Sequence, residues 1–170
     1  MLLSDFHDAD AAAAASVVRV WADVPSWVDA LVSARPFDSV ADLADRAEAL
    51  ARQWTTADLD AALAHHPRIG EQPTAFDAEA EASRREQSAM AGAGGDVAAA
   101  IAEGNAAYEE RFGRVFLIRA AGRTPDEILA NLERRLTNDP DTEAAEASAQ
   151  LLEIAILRLR ETLTHDRMGA

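Results

Sequence analysis

Residues that could do acid–base chemistry gather in two short stretches. The first is Ala64-His65-His66-Pro67-Arg68-Ile69-Gly70-Glu71. A proline disfavours α geometry in the residue before it, so His66 is expected at or just past the end of a helix. The carbonyl end of a helix carries partial negative charge and favours an imidazolium. A histidine there can act as an acid near neutral pH, or it can simply cap the helix. Spacing alone leaves both readings open. The second stretch is Ser83-Arg84-Arg85-Glu86-Gln87. It has the form of a capping box, yet the helical pattern around it begins well upstream. Glu86 is then either a solvated carboxylate on a polar face or, with Gln87, half of a polar pair facing the cavity of His66. In the second case it would accept a hydrogen bond from a substrate hydroxyl or nitrogen.

Other chemistries find little support. His7 and His165 lie near the ends of the sequence and read as bystanders. His65 and His66 would point about 100° apart on a helix, which does not suit joint chelation, and no His-x-x-x-His spacing exists for zinc. The sequence has no cysteine, hence no thiolate nucleophile and no disulfide framework. It has no Gly-x-Ser-x-Gly elbow, phosphate loop or dinucleotide fingerprint. Gly92 to Gly95 follows a helix rather than a strand and reads as a linker. What is left is proton transfer with electrostatic stabilisation, the means of isomerases, lyases and decarboxylases.

Charge narrows the partners. The net charge is −14 over 170 residues, which argues against nonspecific nucleic-acid binding, since that depends on neutralising phosphates. An anionic substrate would need a local group of cations set against this field. All 16 basic residues are arginine. A GC-rich genome accounts for that, and so does a use for forked guanidiniums on carboxylates. No apolar run reaches the roughly 18 residues of a membrane span and no basic leader precedes an apolar stretch. A soluble, cytoplasmic protein is the expectation.

The elements that must hold these residues read as helices throughout. Alanine, the best helix former, is plentiful, and aromatics make up only 5%. One helix of modest amphipathicity is expected from the N-terminus through the Ala11 to Ala15 run. A second starts at Pro25-Ser26, with Trp27, Val28, Leu31 and Val32 on one face, and stops at Arg35-Pro36. Ser39 caps a third, in which Val40, Leu43, Ala44, Ala47, Leu50, Ala51 and Trp54 recur at helical spacing. Thr55 or Thr56 caps a fourth, which carries Leu59, Ala62 and Leu63 and ends at the two histidines. After a loop with Gly70 and Pro73, a polar fifth helix runs from about Thr74 or Ala75 to Ala91. Asp96 caps a sixth, with Val97, Ile101, Tyr108 and Phe112 inward and Gly113 as its stop. Arg114 to Ala120 is apolar but has no partner strand, so it reads as an irregular buried segment or a first helical turn. Thr124-Pro125-Asp126-Glu127 opens a seventh, with Ile128, Leu129, Leu132 and Leu136 inside. Thr142 opens the last, with Ser148, Leu151, Leu152, Ala155, Leu159 and Leu163 on its buried stripe and a fraying tail after His165. The expectation is an all-α, single-domain bundle of about seven or eight helices over residues 1–170.

Taken together, these stretches resemble a known family. His66-Pro67-Arg68-Ile69-Gly70, then Ser83-x-x-Glu86-Gln87, then Asn105 through Tyr108, Phe112-Gly113, Phe116 and Ala120 are similar to the 2-oxo-4-hydroxy-4-carboxy-5-ureidoimidazoline (OHCU) decarboxylase family. Trp27, Arg35-Pro36-Phe37, Leu132 and Arg135-Leu136-x-Asn138 add to the likeness, which spans nearly the whole chain. The resemblance implies an all-helical, cofactor-free enzyme for the last step from urate to (S)-allantoin, and it allows a homodimer. It implies His66 as proton donor, with Glu86 as its catalytic companion. Substrate contacts are implied for Pro67, Ser83, Arg84, Arg85 and Gln87. The stretch Phe116, Leu117, Ile118, Arg119 and Ala120 is implied as a wall that binds the ring through backbone groups. Arg119 and Arg123 are candidates to meet the substrate carboxylate, or are ordinary surface arginines. The end Met168-Gly169-Ala170 departs from the peroxisomal tripeptide of many eukaryotic members.

Two other readings stay open on sequence. One is a non-catalytic acidic helical module that binds a partner, for which His66 and Glu86 would face solvent separately. The other is a lyase acting on a related ureido or imidazoline compound.

Overall fold

A computed structural model describes residues 1–64, 66–70, 90 and 92–164. The described residues form eight helices: α1 (Leu3–Asp8), α2 (Ala11–Trp21), α3 (Pro25–Ser33), α4 (Val40–Ala51), α5 (Thr56–Leu63), α6 (Gly95–Phe112), α7 (Pro125–Arg135) and α8 (Pro140–Thr162). Among them there is no strand, only an isolated parallel bridge between Leu2 and Thr164. The fold is all-α, as the sequence leads one to expect. The expected fifth helix, from about Thr74 to Ala91, and the tail from His165 lie outside the described residues. The chain divides into two compact units, Met1–Asp58 with Leu152–Ala170, and Leu59–Leu151.

In the first unit the N-terminal helix is two helices rather than one. Ala9 is extended, and the Asp10 carboxylate accepts from the Ala13 N–H at 2.8 Å, so the acid that follows α1 restarts the chain as α2. Ser39 caps α4 as expected, accepting from Asp42 N–H at 3.0 Å. The indole of Trp27 donates to the Ala47 carbonyl at 2.9 Å and joins α3 to α4. Trp54 lies beyond the end of α4 and meets Trp27 edge-on. Arg35 gathers orphan carbonyls at two helix ends: its guanidinium donates to Phe6 at 2.6 Å, Ala9 at 2.8 Å and Val32 at 3.0 Å. His7 has a structural part: its Nε2 accepts the Phe37 N–H at 3.1 Å.

The second unit carries the stretches of interest. Its α6 starts one residue before Asp96, which therefore sits inside the first turn, while Gly94 takes the N-cap position. The acid still lies in the first turn, where the positive end of the helix favours it. Gly113 ends α6 as expected, at φ 70°, its N–H donating to the Glu109 carbonyl at 2.9 Å. Thr124 and Glu127 cap α7 reciprocally. The last helix begins at Pro140 rather than Thr142, because Asp139 accepts from the N–H groups of Asp141 and Thr142 at 3.1 and 3.0 Å. Ala147 and Leu151 are buried on it, whereas Ser148 and Leu152 are only half-buried. Arg114 to Ala120 takes no regular structure, yet Phe116, Leu117, Ile118 and Ala120 are buried. One apolar cluster joins Ile69, Ile101, Tyr108, Phe116, Ile118, Ala120, Ile128 and Leu132.

Candidate functional site

His66 lies three residues past α5, and its N–H donates to the Leu63 carbonyl at 3.1 Å. Proline has no N–H with which to continue the helix, so the chain leaves α5 at this point. The ring is half-buried, with Nδ1 3.2 Å from the Pro67 carbonyl and Nε2 sealed from solvent. A carbonyl can only accept, so this contact places a hydrogen on Nδ1. In the neutral ring Nε2 then carries the lone pair, and in the cation Nε2–H is the proton available for transfer.

The turn that follows is fastened to α6. Arg68 grips Glu109 with two hydrogen bonds, Nε to Oε1 at 2.5 Å and Nη2 to Oε2 at 2.9 Å. Beside it, the Asn105 amide donates to the Ile69 carbonyl at 3.0 Å. The Glu109 carboxyl is held below the usual carboxylate range, first by the hydrogen bond from Arg68, with partial burial opposing it. A cavity of about 420 Å³ opens beside this turn, with Arg68, Ile69, Gly70, Ile101, Asn105 and Glu109 among its walls. That is ample for a compact heterocycle. A second cleft of about 400 Å³ lies between Leu63, Ala64, Arg68, Gly113 and Arg114. There Arg114 pairs with Asp60 at 2.8 Å.

The expected wall joins the same cluster as the His66 turn, through Phe116, Ile118 and Ala120 on one side and Ile69 on the other. Its backbone is held from within. The Leu117 carbonyl accepts from Arg135 at 2.7 Å, the Arg119 N–H donates to Gln150 at 3.0 Å, and the Arg119 carbonyl accepts from Arg123 at 3.0 Å. Arg119 also donates to the Ala121 carbonyl at 2.9 Å. Both arginines considered for the substrate carboxylate therefore spend donors on the backbone. Arg135 is itself wholly buried; it pairs with Glu143, packs over the Phe116 ring at 4.7 Å and approaches the Tyr108 hydroxyl at 3.3 Å.

His66, Pro67 and the Phe116 to Ala120 wall fall in the same compact unit, linked through Ile69, and none of them lines either of the two cavities. Ser83, Arg84, Arg85, Glu86 and Gln87 lie outside the described residues. From sequence Asn105 carries the family resemblance but has no role of its own, and Glu109 and Glu143 carry no signal that sets them apart. The signal was present for Asn105, which interrupts the apolar stripe Ile101, Tyr108 with a carboxamide at helical spacing. Among the described residues no group of three His, Cys, Asp or Glu side chains is placed to hold a metal ion, and no helix is long and apolar enough to cross a membrane.

Known proteins resemble this chain in sequence and in architecture. A protein from Haloferax volcanii named 2-oxo-4-hydroxy-4-carboxy-5-ureidoimidazoline decarboxylase is 30% identical over 135 residues, 79% of each chain. The uric acid degradation bifunctional protein TTL of Arabidopsis thaliana is 36% identical over 101 residues, 58% of this chain but 31% of that longer protein. A crystal structure of OHCU decarboxylase in the presence of (S)-allantoin superposes with a TM-score of 0.73 at 26% identity, over 85% of this chain and 94% of the other. A crystal structure of (S)-allantoin synthase shares the fold, with a TM-score of 0.70 at 18% identity, over 96% of this chain and 54% of the other. The sequence profile of OHCU decarboxylase matches residues 7–160. Over residues 7–160, which include the turn at His66 and the buried segment Phe116 to Ala120, the chain belongs to the OHCU decarboxylase family.

Proposed function

We propose that this chain, as a single catalytic domain in the cytoplasm, decarboxylates OHCU to (S)-allantoin in urate degradation, without a cofactor and with His66 as the proton donor. The substrate carries a carboxylate and a hydroxyl on one ring carbon, beside a C=N carbon bearing the ureido group. As CO₂ leaves, the electrons of the broken C–C bond form a C=C bond to the ureido-bearing carbon, and the imine pair moves to nitrogen, which takes a proton. When the hydroxyl gives up its proton and becomes the carbonyl, the ureido-bearing carbon takes one in its turn. Delivery from one face sets the S configuration, and Nε2 of His66 is the nitrogen left to deliver it once Nδ1 is engaged by Pro67.

Glu86 and Gln87 orient the substrate in this reading, with Pro67, Ser83, Arg84 and Arg85 about it and the Phe116 to Ala120 segment as a wall. The observation that carries the proposal is family membership over residues 7–160 combined with the His66 ring at the carbonyl end of α5. The test is to add the protein to freshly generated OHCU and follow one allantoin enantiomer by circular dichroism. Wild type is expected to speed its appearance. His66→Asn should abolish the effect with the helical spectrum intact, and an unchanged rate in that variant would remove His66 as the acid. Glu86→Ala should cost orders of magnitude in rate, whereas a carboxylate that only decorates a helix would cost little.

A further inference from the structure

Asn105 is 5% exposed and sits on the inner stripe of α6. Its Nδ2 donates to the Ile69 carbonyl at 3.0 Å, while its Oδ1 is buried and meets no hydrogen-bond partner among the described residues. A buried acceptor left unmatched costs about 1–3 kcal/mol, and one neutral hydrogen bond returns about 1 kcal/mol. On balance this carboxamide adds nothing to stability, and a leucine of the same shape would serve the core as well. What it does accomplish is local. It fixes a backbone carbonyl three residues from His66, in a turn with no helix or strand ladder of its own. One helical turn further on, Glu109 holds Arg68, and the Ile69 side chain sinks into the cluster between them. The segment after His66 is thereby set against α6 at consecutive residues.

We infer that Asn105 is a positioning residue for His66: by holding the Ile69 carbonyl it sets the His66–Pro67 turn and with it the direction of Nε2. The inference rests on the reading of His66 as the acid. A misplacement of about 1 Å in a catalytic group can cost about 100-fold in rate, so the effect belongs in kcat and not in substrate affinity.

The test uses the full chain with Asn105→Leu. The melting temperature is expected to stay within a few degrees of wild type, kcat to fall roughly 10- to 100-fold, and KM to change little. The imidazole ¹⁵N signals of His66, identified by their loss in His66→Asn, should shift as the Nδ1 contact with Pro67 loosens. Unchanged kcat together with unchanged ring signals overturns the inference, as does a loss confined to KM. Asn105→Ser, which shortens the side chain without crowding the core, supplies the same readings should the leucine variant not fold. If wild type does not turn over OHCU, the decarboxylase reading fails by itself, and the ring signals still decide whether Asn105 sets the histidine.

Discussion

The Tyr108 hydroxyl donates to the Glu143 carboxylate, and neither side chain is exposed to solvent. Arg135 completes the group, pairing with the same carboxylate and reaching on to the Leu117 carbonyl. Asn138 donates to the other oxygen of Glu143 at 2.8 Å. Burying an ion pair seldom adds net stability, so this arrangement is better understood by what it touches. It braces the irregular segment from Phe116 to Ala120, whose carbonyls have no ladder to enter. Gln150 braces the same segment from α8.

The phenol offers a direct probe, since Tyr108 is the sole tyrosine of the chain. Burial, and then the hydrogen bond to Glu143, push its pKa well above the ordinary phenol value of about 10. A raised pKa contributes stability that is whole below the unfolded value and fades as pH climbs past it toward the folded one. Tyrosinate absorbance is therefore expected to stay silent through pH of about 10 while helical ellipticity holds. It should then appear together with helix loss. A tyrosine that ionises near its ordinary value with the helices intact would show that the hydroxyl is open to water.

Arg135→Met tests the brace. It leaves Glu143 buried without its cation, for which about 3–5 kcal/mol is the expected loss in urea unfolding. Replacing both partners, Arg135→Met with Glu143→Leu, should cost much less than the sum of the single losses, because no uncompensated charge remains. Strict additivity of the two would mean that the charges do not feel each other.

Features closed within a few residues were legible in the sequence, and features closed across the fold were not. Thr124 with Glu127, Ser39 with Asp42 and the positive φ of Gly113 are local, and each stands where the pattern puts it. The His66–Pro67 turn is legible for the same reason, because a proline decides it. Asp10 and Asp139 are equally visible as caps, but the alanine run lets the N-terminal stretch read as one helix across Asp10, and Thr142 offers a competing start to Asp139. Asn105 and Arg135 could not be assigned partners from sequence. Their hydrogen bonds run to Ile69 and Leu117, 36 and 18 positions away, and only packing brings those carbonyls within reach. Arg119 and Arg123 are the exception: their hydrogen bonds close over two and four positions, to the Ala121 and Arg119 carbonyls, yet an arginine at such a spacing suits a substrate anion as well as a nearby backbone oxygen, so closeness in sequence does not decide between the two.

Gly104 tests how closely α6 must lie to α7 for Asn105, its neighbour in sequence, to face Ile69. A Cβ at this position would stand 2.6 Å from Cδ2 and 3.0 Å from Cγ of Leu132. Alanine in place of a mid-helix glycine gains about 1 kcal/mol in propensity, whereas overpacking a filled core costs about 1–3 kcal/mol. Leu132 has no exposed surface and is enclosed with Ile101, Tyr108 and Ile128, so the overlap should win. Gly104→Ala is expected to lower the melting temperature by about 2–4 °C. Gly95→Ala, at the start of the same helix and with no atom of another described residue within 4 Å of its added methyl beyond its own helical backbone, should leave it level or raise it. Stabilisation by both substitutions would mean that Leu132 can turn aside and that the close approach of the two helices is not what fixes the face α6 presents.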